Sequence, residues 1–80
     1  MDRDSILETI ISVVAENLEA DAGSLSEETT FEELEADSFD MLELITALEE
    51  VFERTLDDEV LASIVSIGDA VNAVAAALED

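Results

Sequence analysis

The sequence predicts an all-α domain of four helices, with a long connection after the first and a short third helix. Three observations carry this prediction. Apolar residues recur every three or four positions instead of alternating, which is the period of a helix with one buried face. Ser5 with Glu8, Thr30 with Glu33 and Ser66 with Asp69 each have the spacing of a capping box, where a hydroxyl and a carboxylate satisfy free backbone N–H groups. No Pro interrupts the chain, and only Gly23 and Gly68 punctuate it. Nothing reads as a strand.

The first helix is expected from about Ser5 to Glu19, with Ile6, Ile10, Val13, Val14 and Leu18 inward. The connection from about Ala20 to Asp37 is long for a compact domain, and such connections are often functional. Leu25, Phe31 and Leu34 are expected to pin it to the core, and Gly23 to turn it. Thr30 and Glu33 are expected to cap a single helical turn within it. The second helix should begin near Ser38 and end near Phe52 or Glu53. Leu44, Leu48 and Val51 share one face, broadened by Ile45 and Phe52, while Asp40, Glu43, Ala47 and Glu50 lie on another. A short helix is expected from Asp58 to Ala62, capped by Asp57. The last should run from about Ile67 to Leu78, with Ile67, Val71, Val74 and Leu78 inward. With no internal repeat and no linker, residues 1–80 read as one domain.

Charge narrows the function. Asp and Glu number 23 against two basic residues, Arg3 and Arg54, for a formal net charge of -21. Nucleic-acid backbones and anionic lipid surfaces repel such a chain, so its partners are basic protein patches or cations. One exposed pair of like charges costs only about 1 kcal/mol at 4 Å in water, but many together strain a small fold. The hydrophobic fraction of 49% is too high for disorder by composition.

Missing residue types exclude much chemistry. Without His or Cys there is no Ser-His triad, Cys nucleophile, disulfide or His-bearing metal site. Without Lys there is no Schiff base, and no Gly-rich phosphate loop or ordered calcium loop is present. The carboxylates read as a solvated face, because a domain this small has little volume for a catalytic pocket. The expectation is a protein with no catalytic residues and no resident metal. Met1-Asp2-Arg3-Asp4 lacks a signal-peptide pattern, and the apolar run Ala73 to Leu78 is far short of the roughly 20 residues that span a bilayer. A soluble, cytoplasmic, monomeric protein without stable membrane insertion is the default expectation.

One local constellation stands out: Glu35-Ala36-Asp37-Ser38-Phe39-Asp40-Met41-Leu42-Glu43-Leu44. It places a serine at a helix start after a long loop. On local pattern alone Ser38 reads as an N-cap, with Asp37 and Asp40 favouring the positive end of the helix dipole. Exposure of Ser38 for modification is compatible with that reading, and a helix start also suits a phosphate.

Asp37-Ser38-Phe39-Asp40, followed by Leu44 and Ala47-Leu48-Glu49-Glu50-Val51-Phe52, resembles the Asp-Ser-Leu motif and second helix of acyl carrier proteins. The similarity extends to Phe31-Glu32-Glu33-Leu34 upstream, and to Leu56-Asp57-Asp58-Glu59 and Ile64-Val65-Ser66-Ile67 downstream. The resemblance implies a four-helix bundle. It implies that Ser38 Oγ attacks the pyrophosphate of coenzyme A, joining 4′-phosphopantetheine to the chain through a phosphodiester beside Asp37. A separate Mg²⁺-dependent phosphopantetheinyl transferase would catalyse that step. The terminal thiol of the arm would then hold acyl groups, which fits a chain without Cys. Met41, Leu44, Ile45, Leu48, Phe52, Ile64 and Val71 would line the acyl-sheltering interior; plain core packing is the other reading of each. Asp40, Glu43, Glu49 and Glu50, with Phe39 as an apolar anchor, would dock on basic patches of acyl transferases, ketosynthases and other acyl-processing enzymes.

The sequence departs from the family pattern in places. Glu35 stands where Gly is frequent, Phe39 replaces the usual Leu, Asp57 a frequent Pro and Val51 a common acidic residue. These bear on partner choice and loop conformation and leave the attachment serine in place. The initial Met and the lack of linkers suggest a free-standing carrier. Fatty acid synthesis is the leading assignment, with a polyketide or other specialised pathway, or a D-alanyl carrier, as alternatives. A peptidyl carrier usually has Gly-Gly-x-Ser before the helix. An unmodified acidic protein that binds basic surfaces is the competing class.

Overall fold

The computed structural model describes residues 2–79. The elements in chain order are α1 (Arg3–Leu18), a 3-10 turn (Ala22–Ser24), α2 (Ser38–Phe52), α3 (Asp58–Ala62) and α4 (Ile67–Glu79). They match the expected four-helix architecture, and no strand occurs among the described residues.

Helix α1 starts earlier than its sequence pattern implied. Asp2, not Ser5, is its cap: the Asp2 carboxylate accepts from Ser5 N–H at 2.8 Å. Asp caps as well as Ser does, and starting at Asp2 adds hydrogen-bonded residues to the helix. It also brings Arg3 into reach of two distant segments. The Arg3 guanidinium donates to Asn72 Oδ1 on α4 at 2.6 Å and pairs with Glu27 in the connection. This tie is solvent-exposed, so its net worth is about 0–1 kcal/mol.

Ile6, Ile10, Val13 and Val14 of α1 are buried against Leu44, Ile45, Leu48 and Phe52 of α2 and Ile67, Ala70, Val71 and Val74 of α4. Helix α1 packs chiefly on α4 and α2. Leu18 and Leu78, expected inward, are only half-buried near helix ends. Val51 is a clear departure: it is exposed, because the buried stripe of α2 is centred nearer Leu48 and Phe52. No polar or charged side chain is buried among the described residues. The bundle therefore rests on apolar packing, consistent with a strongly acidic surface.

The long connection is held at several points. Leu25 and Phe31 are buried, and Leu34 is half-buried. Thr30 and Glu33 form the expected reciprocal cap, with Thr30 N–H donating to Glu33 Oε2 at 2.8 Å and Glu33 N–H to Thr30 Oγ1 at 3.2 Å. Backbone bonds clip the connection to the start of α4. Phe31 N–H donates to Val65 O, Ile67 N–H to Thr29 O, and Gly68 N–H to Glu27 O at 2.9 Å. Gly68 permits the last contact: a Cβ there would lie 3.0 Å from Glu27 O.

Asp69 closes the capping box of α4, accepting from Val65 and Ser66 N–H at 3.0 and 3.1 Å while Ser66 Oγ accepts from Asp69 N–H. Asp57 sits at the predicted cap position of α3 but makes no side-chain cap bond. Two helices and one turn end on glutamates in left-handed backbone: Glu19 at φ 53° after α1, Glu53 at 54° after α2, and Glu35 at 57° at the end of the turn over residues 31–35. The following amides close these ends, Ala20 N–H on Ala15 O and Arg54 N–H on Glu49 O at the helices and Ala36 N–H on Phe31 O at the turn. Such ends usually employ Gly, which has no Cβ to crowd the carbonyl.

Candidate functional site

The end of the long connection delivers Ser38 to the start of α2. The local pattern suggested that Ser38 is the N-cap; the structure gives that place to Asp37 and makes Ser38 the first helical residue. The carboxylates of Asp37 and Asp40 face the backbone. Asp37 Oδ1 accepts from Asp40 N–H at 2.9 Å, and Asp40 Oδ2 from Asp37 N–H at 3.3 Å. Ser38 is exposed, and its hydroxyl makes no hydrogen bond among the described residues. The amides of Ser38 and Phe39 lie in the first turn, where helix geometry supplies no internal acceptor.

Beside Ser38 lies an open concavity of about 400 Å³ between α2 and the α3 region. Ala36, Asp37, Ser38, Met41, Leu42, Ile45, Leu61 and Ile64 line it. Asp37 and Ser38 are its only polar side chains, so the wall away from them is aliphatic. Of the residues expected to shelter a cargo, Met41, Ile45 and Ile64 face this space. Leu44, Leu48, Phe52 and Val71 instead pack in the buried core. Ala36, Leu42 and Leu61 were not anticipated. Leu42 lies off the buried stripe of its helix, and Leu61 belongs to a helix too short to show a period.

The outer face of α2 carries Phe39 and Leu42, 65% and 62% exposed, with Glu43 and Glu50 also exposed. Phe39 and Leu42 are three residues apart and so are neighbours on the helix. Glu49 is placed differently from its expected role. It is half-buried, and its Oε2 accepts from Leu56 N–H at 2.7 Å, fastening the α2–α3 connection. Asp40 is also half-buried within its cap.

The capping carboxylates elsewhere are held below their ordinary pKa values by the hydrogen bonds they accept. Val65 and then Ser66 N–H act on Asp69; the Thr30 N–H and then its hydroxyl act on Glu33; Ser5 N–H and then its hydroxyl act on Asp2. These groups stabilise helix starts, and none lines the concavity. No group of three or more acidic side chains among the described residues is placed to hold a metal ion. No helix among them is long and apolar enough to cross a membrane.

A family model described as phosphopantetheine attachment site matches residues 8–74. An acyl carrier protein of Prochlorococcus marinus (strain MIT 9515) is 38% identical over 77 residues, covering 95% of this chain and 96% of that protein. The crystal structure of acyl carrier protein from Thermotoga maritima superposes with a TM-score of 0.84 at 29% identity, covering 99% of this chain and 93% of that one. An acyl carrier protein from Enterococcus faecalis, at 23% identity and a TM-score of 0.79, shares the fold over 96% of this chain and 99% of its own. The site accommodates the group that the family implies: an exposed, unengaged hydroxyl at a helix start, free first-turn amides, and an apolar concavity alongside. The matches over nearly the whole length establish that this chain belongs to the acyl carrier protein family, non-catalytic carriers with a covalently attached 4′-phosphopantetheine.

Proposed function

We propose that Ser38 is the attachment point and that the chain carries acyl intermediates of fatty acid synthesis. The observation that carries this reading is the position of Ser38: first in α2, exposed, at the mouth of a concavity whose far wall is aliphatic. The bound arm supplies a terminal thiol that holds acyl groups as thioesters. Everything else falls to the residues of the chain. Ser38 Oγ provides the linkage oxygen, and the first-turn amides and helix dipole favour the phosphate beside it. Met41, Ile45, Leu61 and Ile64 offer apolar contact to a hydrocarbon and no hydrogen bond to an oxygenated chain, which favours a fatty acyl cargo over a polyketide.

The outer face of α2 is the docking surface in this reading. Phe39 and Leu42 supply apolar contact, and Glu43 and Glu50 supply free carboxylates for basic patches on the transferase and acyl-processing enzymes. Asp40 and Glu49 add to the negative field while each holds a backbone amide. Exposed charges of this kind speed encounter and permit release, which suits a carrier that changes partners.

The test is intact mass after incubation with a broad-specificity phosphopantetheinyl transferase, Mg²⁺ and coenzyme A. Wild type should gain one phosphopantetheine and Ser38→Ala none. The loaded carrier should then be extended by fatty acid elongation enzymes. Modification of Ser38→Ala, or none of wild type by an active transferase, refutes the attachment point. Modification followed by extension only with polyketide enzymes refutes the pathway.

A further inference from the structure

We propose that Arg54 fixes the direction in which α2 docks, by taking a carboxylate on the ketosynthase that receives the arm. This rests on the reading of the outer face of α2 as the docking surface of a fatty acyl carrier. Thr46 and Glu50 border two adjoining depressions on that face. One runs back to Leu42 and Glu43, and the other runs on to Glu53, Arg54 and Thr55. Arg54 therefore belongs to the same continuous surface. It stands just past one end of α2 and Ser38 at the other, about 22 Å apart along the 15 residues of the helix.

The chain has two basic side chains against 23 acidic ones, and the two are used differently. Arg3 is taken up by Glu27 and Asn72. Arg54 is exposed and forms no ion pair among the described residues, although Glu49, Glu50 and Glu53 border the same depression. One Nη1 N–H donates to Glu53 O at 3.0 Å. That bond is the contact expected of a cation at the negative end of a helix dipole. A guanidinium has five N–H donors in a planar fork that matches a carboxylate. The rest of the Arg54 fork has no acceptor among the described residues.

The other charges exposed on this face are negative. A basic strip on an enzyme attracts such a helix in either direction along its length, yet only one direction brings Ser38 to the active site. A single positive charge at the far end breaks that symmetry. An enzyme with an acid opposite Arg54 gains at both ends of the helix in the productive direction. The reversed helix sets Arg54 against base and carboxylate against acid, and is rejected.

The test is condensation by the fatty acid ketosynthase of the same organism. Wild type, Arg54→Lys, Arg54→Gln and Arg54→Glu are each fully loaded with the same acyl group beforehand. KM for the carrier and kcat are read separately at low and high ionic strength, with circular dichroism confirming that each variant is folded at the assay temperature. The sign of the change decides. Against a uniformly basic surface, losing the one cation of the face lowers KM, and Glu lowers it most. With an acid opposite Arg54, KM should rise about three- to tenfold for Gln and further for Glu, with kcat unchanged. Lys keeps the charge and loses the fork, so it should stay within about twofold of wild type. High salt should shrink these differences. A lowered or unchanged KM for Arg54→Gln overturns the proposal. An equal fall in kcat for Gln and Glu with KM unmoved also overturns it, because that marks a helix end loosened by loss of the dipole contact. Wild type that cannot be loaded, or that loads and is not extended by this enzyme, overturns the carrier or pathway reading and this proposal together, which distinguishes those cases from the others.

Discussion

Replacing Glu19, Glu35 and Glu53 with Gly should stabilise the protein substantially. All three sit at positive φ, Glu19 and Glu53 at helix C-caps and Glu35 at the end of a turn. A side chain there costs about 1–2 kcal/mol through crowding between Cβ and the carbonyl. Gly relieves that strain but loses about 0.5–1 kcal/mol to its larger unfolded-state entropy, leaving a net gain of roughly 0.5–1 kcal/mol per site. Glu19 and Glu53 also place a carboxylate at the negative end of α1 and α2. Removing each contributes about 0.3–1 kcal/mol more at low salt. Glu19 and Glu35 border the same surface depression as Glu16 and Asp40, so their loss also relieves local repulsion. The triple variant should gain roughly 2–4 kcal/mol in all. In a domain this size that raises Tm by about 10–30 °C. Helical circular dichroism followed through thermal unfolding at fixed ionic strength measures it. The matched Glu→Gln triple removes the charges and keeps every Cβ. If the Gly and Gln triples melt together, backbone strain contributes nothing and the reasoning fails.

Gly68→Ala should cost about 0–2 kcal/mol net, because the new Cβ would lie 3.0 Å from Glu27 O and the connection must yield by a few tenths of an ångström, against which Ala gains about 1 kcal/mol over Gly as a helix former; a raised urea midpoint would contradict the clip described for the connection. Asp69 has a lowered pKa in the folded state, so its stabilisation is complete above about pH 4 and disappears as pH falls through the lowered value. The stability gap between wild type and Asp69→Asn should therefore be flat near neutral pH and close in acid, and a gap that widens in acid would reverse the sign of the linkage. Mg²⁺ or added salt at neutral pH should raise Tm by screening a net charge of -21, with a fall or no change in a calorimetric scan counting against self-repulsion.

The periodic parts of the fold were legible in the sequence because burial imposes a period. Helix α2, expected from near Ser38 to Phe52 or Glu53 on its apolar stripe and the loop before it, runs from Ser38 to Phe52. The caps were less legible where two good capping residues stood close together. Asp2 competed with Ser5, and Asp37 with Ser38, and local spacing does not rank them. The backbone clip between residues 27–31 and 65–68 had no side-chain signature, since its bonds run between main-chain groups. Periodicity located an apolar stripe on α2 but did not divide it into buried core, such as Leu44 and Leu48, and the half-buried wall of the concavity, such as Met41. That division depends on where α3 lies, and five residues are too few to show a face.

The packing of α1 on α4 has a consequence for the birth of the protein. Helix α1 is synthesised well before its principal partner α4, and Ile6, Ile10 and Val14 share a core with Ile67, Val71 and Val74. An isolated helix of 16 residues is marginal in water. Synthesis must therefore pass through α4 before this core can close, so the order of translation does not set the order of folding.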